Sequence, residues 1–79
     1  MEKIHVEIVT DGVPYDVTAT PYTYNNMTRF YVSYNGSEQY VFAWDETLGR
    51  LASIGDESID IPDNLEMAIA EKLQPAMAL

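Results

Sequence analysis

One Asp-Gly dipeptide near the N-terminus constrains this chain more than any other feature. Asp11-Gly12 lies between two alternating segments, Ile4-His5-Val6-Glu7-Ile8 and Tyr15-Asp16-Val17-Thr18-Ala19. A two-residue type I′ turn needs positive φ at both central positions, and Asp-Gly tolerates it. With that turn, Thr10 faces Val13, Ile8 faces Tyr15, Val6 faces Val17 and Ile4 faces Ala19. The apolar side chains then share one face, and His5, Glu7, Asp16 and Thr18 share the other. The first twenty residues therefore commit the chain to an antiparallel sheet with one apolar face.

The remaining strands follow from turn residues and parity. Pro21 is expected to end the second strand, because proline donates nothing to a ladder. Residues 21–27 then form a loop or irregular edge, long enough to cross over, so the strand order stays open. Thr28–Tyr34 and Glu38–Trp44 read as the third and fourth strands, separated by Asn35-Gly36. A two-residue loop there pairs Tyr31 with Tyr40 and splits the large apolar residues between faces. A three-residue loop ending in a left-handed Gly36 gathers Phe30, Val32, Tyr40, Phe42 and Trp44 on one face, so that register is expected. The same device at Thr47-Leu48-Gly49 places Glu46 opposite Arg50, Trp44 opposite Ala52 and Phe42 opposite Ile54. The Glu46–Arg50 pair would be worth roughly 0–1 kcal/mol. The fifth strand, Arg50–Ile54, is short and suits an edge.

Gly55 to Asp60 is an acidic connector. Pro62 fits the first turn of a helix, where a missing N–H costs nothing. Asp63 and Glu66 suit the positive end of its dipole, and Lys72 falls in the expected last turn. Leu65, Ala68, Ile69 and Leu73 form one apolar stripe. Pro75 is expected to stop the helix, leaving residues 76–79 frayed or loosely packed. The fold class is thus α+β: a five-stranded antiparallel sheet, mostly a meander, in the order ββββ(β)α. One C-terminal amphipathic helix covers its apolar face. Residues 1–79 form a single small domain.

Composition narrows the function. The chain has 79 residues, thirteen acids, four bases and no cysteine, for a net charge of −9. A domain this small buries only about 60% of its unfolded surface, and no disulfide supports it. The charge opposes binding to nucleic acid phosphates or to an anionic membrane surface. No apolar run approaches the ~20 residues of a membrane span. The N-terminus lacks the basic and apolar regions of a secretory signal, so a whole cytoplasmic protein starting at its own Met is expected. The acids are uneven: positions 56–71 hold six and no base.

Candidate chemistry is sparse. His5, the one histidine, sits between Ile4 and Val6 and therefore points outward from its strand. Asp56 to Asp63 alternates oxygen side chains in a way that suits a hard cation such as calcium. It lacks the glycine of an EF-hand loop, Pro62 interrupts it, and the twelfth position is Met67. Glu38, Asp45 and Glu46 show no catalytic pairing, the serines lack a nucleophile elbow, and the glycines are scattered at turns. The chain is expected to be no enzyme, with no cofactor and no metal site.

Aromatic residues give the best binding candidates. Tyr22, Tyr24, Asn25, Asn26 and Tyr31 gather around one loop and the outer sheet face, and tyrosine is enriched in binding hot spots. The same face shows Val41 and Ala43, which together with an unpaired edge strand could support a homodimer, so a monomer or a weak homodimer is expected. Arg29 alone accompanies this cluster as a cation, which disfavours base stacking. The expected function is a small acidic protein-interaction module. One alternative is an acidic mimic or inhibitor that meets a basic partner through Asp56, Glu57, Asp60 and Asp63. Weak calcium or small-ligand binding is the other. From Trp44 to Leu73, the Gly-Arg-Leu and Ile-Pro-Asp-Asn-Leu-Glu segments resemble small bacterial proteins in style. That resemblance names no family and brings no activity with it.

Overall fold

The computed structural model describes residues 3–55 and 60–77. The elements are β1 (Ile4–Thr10), β2 (Val13–Tyr24), β3 (Met27–Tyr34), β4 (Tyr40–Asp45), β5 (Arg50–Ile54) and α1 (Asp63–Met77). The strands form an antiparallel meander in the order β1-β2-β3-β4-β5, curled into a half-barrel with α1 packed against it. The fold is α+β. Because the sheet curls, the helix reaches both edge strands, β1 and β5.

The first hairpin has the expected turn and register. Asp11 and Gly12 have φ of 53° and 77°, and Ile4, Val6 and Ile8 face Ala19, Val17 and Tyr15. The second strand departs from expectation, because β2 runs through Pro21 to Tyr24. Asn25 and Asn26, with φ of 49° and 63°, make a two-residue turn that places Tyr24 opposite Met27. In such a hairpin, bonded and unbonded pairs alternate from the turn. Pro21 and Phe30 are an unbonded pair, so the proline nitrogen points toward β1. The described β1 ladder has already ended there, at Ile4 and Ala19. Proline thus removes no bond from the β2–β3 ladder.

The face expected for the third and fourth strands is formed, but by a different turn. Asn35 and Gly36 have φ of 50° and 74°, and the Ser37 N–H donates to the Tyr34 carbonyl at 2.9 Å. This is the two-residue turn, not a three-residue loop. The ladder nevertheless pairs Val32 with Tyr40 and Phe30 with Phe42. Between turn and ladder, β3 contributes Ser33 and Tyr34, while the returning chain contributes Ser37, Glu38 and Gln39. That one extra residue restores the shared face. The Ser37 hydroxyl holds the offset by accepting from the Tyr34 N–H at 3.0 Å and donating to the Glu38 carbonyl at 2.9 Å.

The last hairpin corrects the expected register by one residue. Trp44 faces Leu51, Ala43 faces Ala52 and Asp45 faces Arg50, across a four-residue loop from Glu46 to Gly49. The Asp45 carboxylate accepts from the Leu48 N–H at 3.1 Å, and its carbonyl accepts from the Gly49 N–H at 2.8 Å. The shift turns Leu51, rather than Ala52, into the core. Leu51 has far more apolar surface to bury, and it is fully buried. The expected Glu46–Arg50 pair is absent. Arg50 instead reaches Glu66 at 3.5 Å and the Leu51 carbonyl at 2.8 Å.

The core joins Val17, Phe30, Val32, Phe42 and Leu51 from the sheet to Leu65, Ile69 and Leu73 from the helix. Helix α1 starts where Pro62 offers its carbonyl to the Glu66 N–H at 2.9 Å. It does not stop at Pro75. A proline this near the C-terminus forfeits one bond, to the exposed Glu71, and the extra turn adds Met77 to the apolar stripe. Lys72 therefore falls outside the last turn, which contains no base. Two polar contacts fix the helix to the sheet. Asn64 Nδ2 donates to Thr10 Oγ1 at 3.0 Å and to Asp11 Oδ2 at 2.6 Å. Glu66 Oε2 accepts from the Ser53 N–H at 2.9 Å and the Ser53 hydroxyl at 2.8 Å.

Leu51→Ala is expected to lose about 2–5 kcal/mol of stability. Urea unfolding followed by Trp44 fluorescence measures the loss. A cost under ~1 kcal/mol would contradict the register that sends Leu51 inward.

Candidate functional site

The six tyrosines divide by strand parity. Tyr15, Tyr34 and Tyr40 lie on the concave side at one end of the core. Tyr34 meets Tyr15 edge-on, with ring centres 5.8 Å apart, and stacks with Tyr40 at 5.8 Å. Tyr22, Tyr24 and Tyr31 lie on the convex face, because β2 continues as a strand past Pro21. Tyr22 stacks on Tyr31 with ring centres 4.2 Å apart and planes 12° from parallel. The Arg29 guanidinium carbon sits 3.9 Å from the centre of the Tyr24 ring. Both contacts are diagonal cross-strand pairs, since Tyr22 lies opposite Arg29 and Tyr24 opposite Met27.

The register extends this cluster across the sheet. Thr20, Tyr31, Val41 and Ile54 form one continuous row over β2, β3, β4 and β5. Tyr22 with Arg29 and Ala43 with Ala52 form the adjoining pairs. None of these positions carries a carboxylate. On β4 the next outward residue is Asp45, whose carboxylate is held by its own turn. Tyr24, Met27, Tyr31 and Ile54 are 48%, 49%, 39% and 37% exposed. These rows are therefore an aromatic and aliphatic field with one cation, Arg29, while Asp16 and Asp45 lie outside them on the same face.

Of the residues singled out in the sequence, Tyr22, Tyr24 and Tyr31 come together. Asn25 and Asn26 form the exposed turn at the rim, where their tolerance of positive φ gives them a structural role. Met27 and Ile54 were missed. The register expected for the last hairpin turns Ile54 inward, and the strand end expected at Pro21 puts Met27 in a loop. Continuing the period-two pattern through Pro21 would have found Met27.

Asp56 and Glu57, with half of the possible calcium loop, lie outside the described residues. Asp60 and Asp63 are exposed near the start of α1. Among the described residues, no three His, Asp or Glu side chains are grouped to hold a metal ion, and no cavity is present. No described helix is long and apolar enough to cross a membrane. His5 is exposed on the convex face, as its position between Ile4 and Val6 requires, and pairs with Asp16. In comparisons with known proteins, no family model, curated protein or solved structure matches the chain.

Two phenols are shifted. Burial pushes Tyr40 up to about 12, and Tyr34 beside it, with the charges of Asp60 and Glu38, adds to the rise. Burial also raises Tyr22, assisted by Tyr31 and opposed by Arg29. A group with a raised folded pKa contributes stability fully below its unfolded pKa, here about 10. That contribution is lost as pH rises through the folded value. Stability is therefore expected to fall between pH ~10 and ~12. Tyr40→Phe should flatten most of this decline in urea unfolding series across that range. An unchanged slope in the variant would place the alkaline sensitivity elsewhere.

Proposed function

We propose that this chain is a non-enzymatic protein-interaction module that docks a partner on the convex face of its sheet. The observation that carries the reading is the carboxylate-free field of Tyr22, Tyr24, Met27, Arg29, Tyr31, Val41 and Ile54 on a chain of net charge −9. Its tyrosines are held in place by stacking and by Arg29, so little side-chain freedom is left to lose on binding. A partner suited to this face presents an apolar protein surface with one acid opposite Arg29. The pairing of an aromatic centre with a single cation is the composition of interface hot spots.

The test is affinity capture with the wild-type chain, a Tyr22→Ala/Tyr31→Ala variant and a Val9→Ala control, each checked for folding by circular dichroism. A specific partner should be retained by wild type and control. The double variant should bind at least ~30-fold more weakly, the scale of a hot-spot loss. Arg29→Glu should also weaken binding, more at low salt than at high. Equal recovery by all variants would overturn the reading. Binding that ignores Tyr22 and Tyr31 but collapses with Asp60→Asn/Asp63→Asn would move the site to the acidic start of the helix.

A further inference from the structure

The two edges of the sheet are treated differently. On β5, the outward Ser53 N–H is taken by Glu66 of the helix. On β1, parity from the Asp11-Gly12 turn assigns the even residues to bonds with β2. The N–H and C=O groups of His5, Glu7 and Val9 therefore point away from the sheet. Among the described residues, no hydrogen bond reaches them. Ile4 and Val6 face the core side, yet both are only half-buried. β1 thus has unpaired backbone groups and unfinished apolar burial along one edge.

We propose that this edge pairs with β1 of a second copy, antiparallel about a two-fold axis at Val6. Outward-pointing residues must pair with outward-pointing residues, so odd positions meet odd positions. Two registers pair seven residues, Ile4–Thr10 in one and residues 3–9 in the other. One sets Glu7 against the partner's Glu7, placing like charges directly opposite. The other sets Val6 against the partner's Val6, and it brings His5 opposite the partner's Glu7 on the convex face. By symmetry, Glu7 meets the partner's His5, and Lys3 meets the partner's Val9. On the concave side, Ile4 meets the partner's Ile8, which completes the apolar burial the single chain leaves open. The same patch serves both copies, as a closed two-fold interface requires.

The chain has no cysteine, so single thiols report the register cleanly. Facing residues of an unbonded antiparallel pair have Cα atoms about 4.5 Å apart, within disulfide reach. Val6→Cys should form a disulfide-linked dimer with oxidised glutathione. Val9→Cys should link more slowly, although Val9 is 61% exposed. Sedimentation should show Glu7→Lys weakening the unlinked dimer by about tenfold, with His5→Glu/Glu7→Lys recovering it by setting a carboxylate opposite each new lysine. A wild-type chain that stays monomeric at every concentration would overturn the proposal. So would faster linkage at Val9 than at Val6. A dimer dissolved by Tyr22→Ala/Tyr31→Ala would also overturn it, because the contact would then lie on the convex face.

Discussion

The insertion of Leu65, Ile69 and Leu73 into the hollow of a curled sheet is the contact on which the structure depends. A five-stranded meander has one apolar face, and a small chain has one helix to cover it. A flat sheet would leave its outer strands beyond the reach of that helix. Curling brings β1 and β5 around the helix, so a single stripe at i, i+4 and i+8 meets both. The fully buried Phe30, Phe42 and Leu51 line the hollow. Asn64 at one edge and Glu66 at the other then hold the helix in position.

The layered architecture and the first hairpin were legible because turn chemistry and alternation agreed there. Asp11-Gly12 permitted one register, and that register collected the apolar residues. Elsewhere the shared face was readable but the route to it was not. The Asn35-Gly36 turn is the short one, and an extra residue at Ser37–Gln39 supplies the offset. The serine hydroxyl that stabilises this offset leaves no periodic trace in the sequence. Thr47-Leu48-Gly49 looked like the same device, yet Asp45 captured the Leu48 N–H and lengthened the loop. The demand of Leu51 for burial was the better guide to that register.

The binding candidates were legible in part for a related reason. Tyr22, Tyr24 and Tyr31 could be named from composition, but Pro21 concealed that two of them belong to a strand. Proline forbids a strand only where its nitrogen would have donated, and the ladder parity needed to decide this depends on the Asn25-Asn26 turn. Once β2 is continuous, the tyrosines become neighbours on one surface. Charge separates along with them: Asp60, Asp63 and Glu71 stay with the helix or its start, and the two convex rows that hold Tyr22 and Tyr31 carry no acid.

Glu66 closes the Ser53 position on β5, whereas nothing described closes β1, and this asymmetry bears on how far strand addition can go. Head-to-tail growth needs a donor edge and a receptor edge on every subunit. Here one of the two edges is already capped from within the molecule. A sheet with one receptive side can gain a strand once, and joining two such sides consumes both. The helix therefore occupies a bonding position on the β5 edge as well as sealing the hollow of the sheet, and the carboxylate at position 66 denies an incoming strand that one donor.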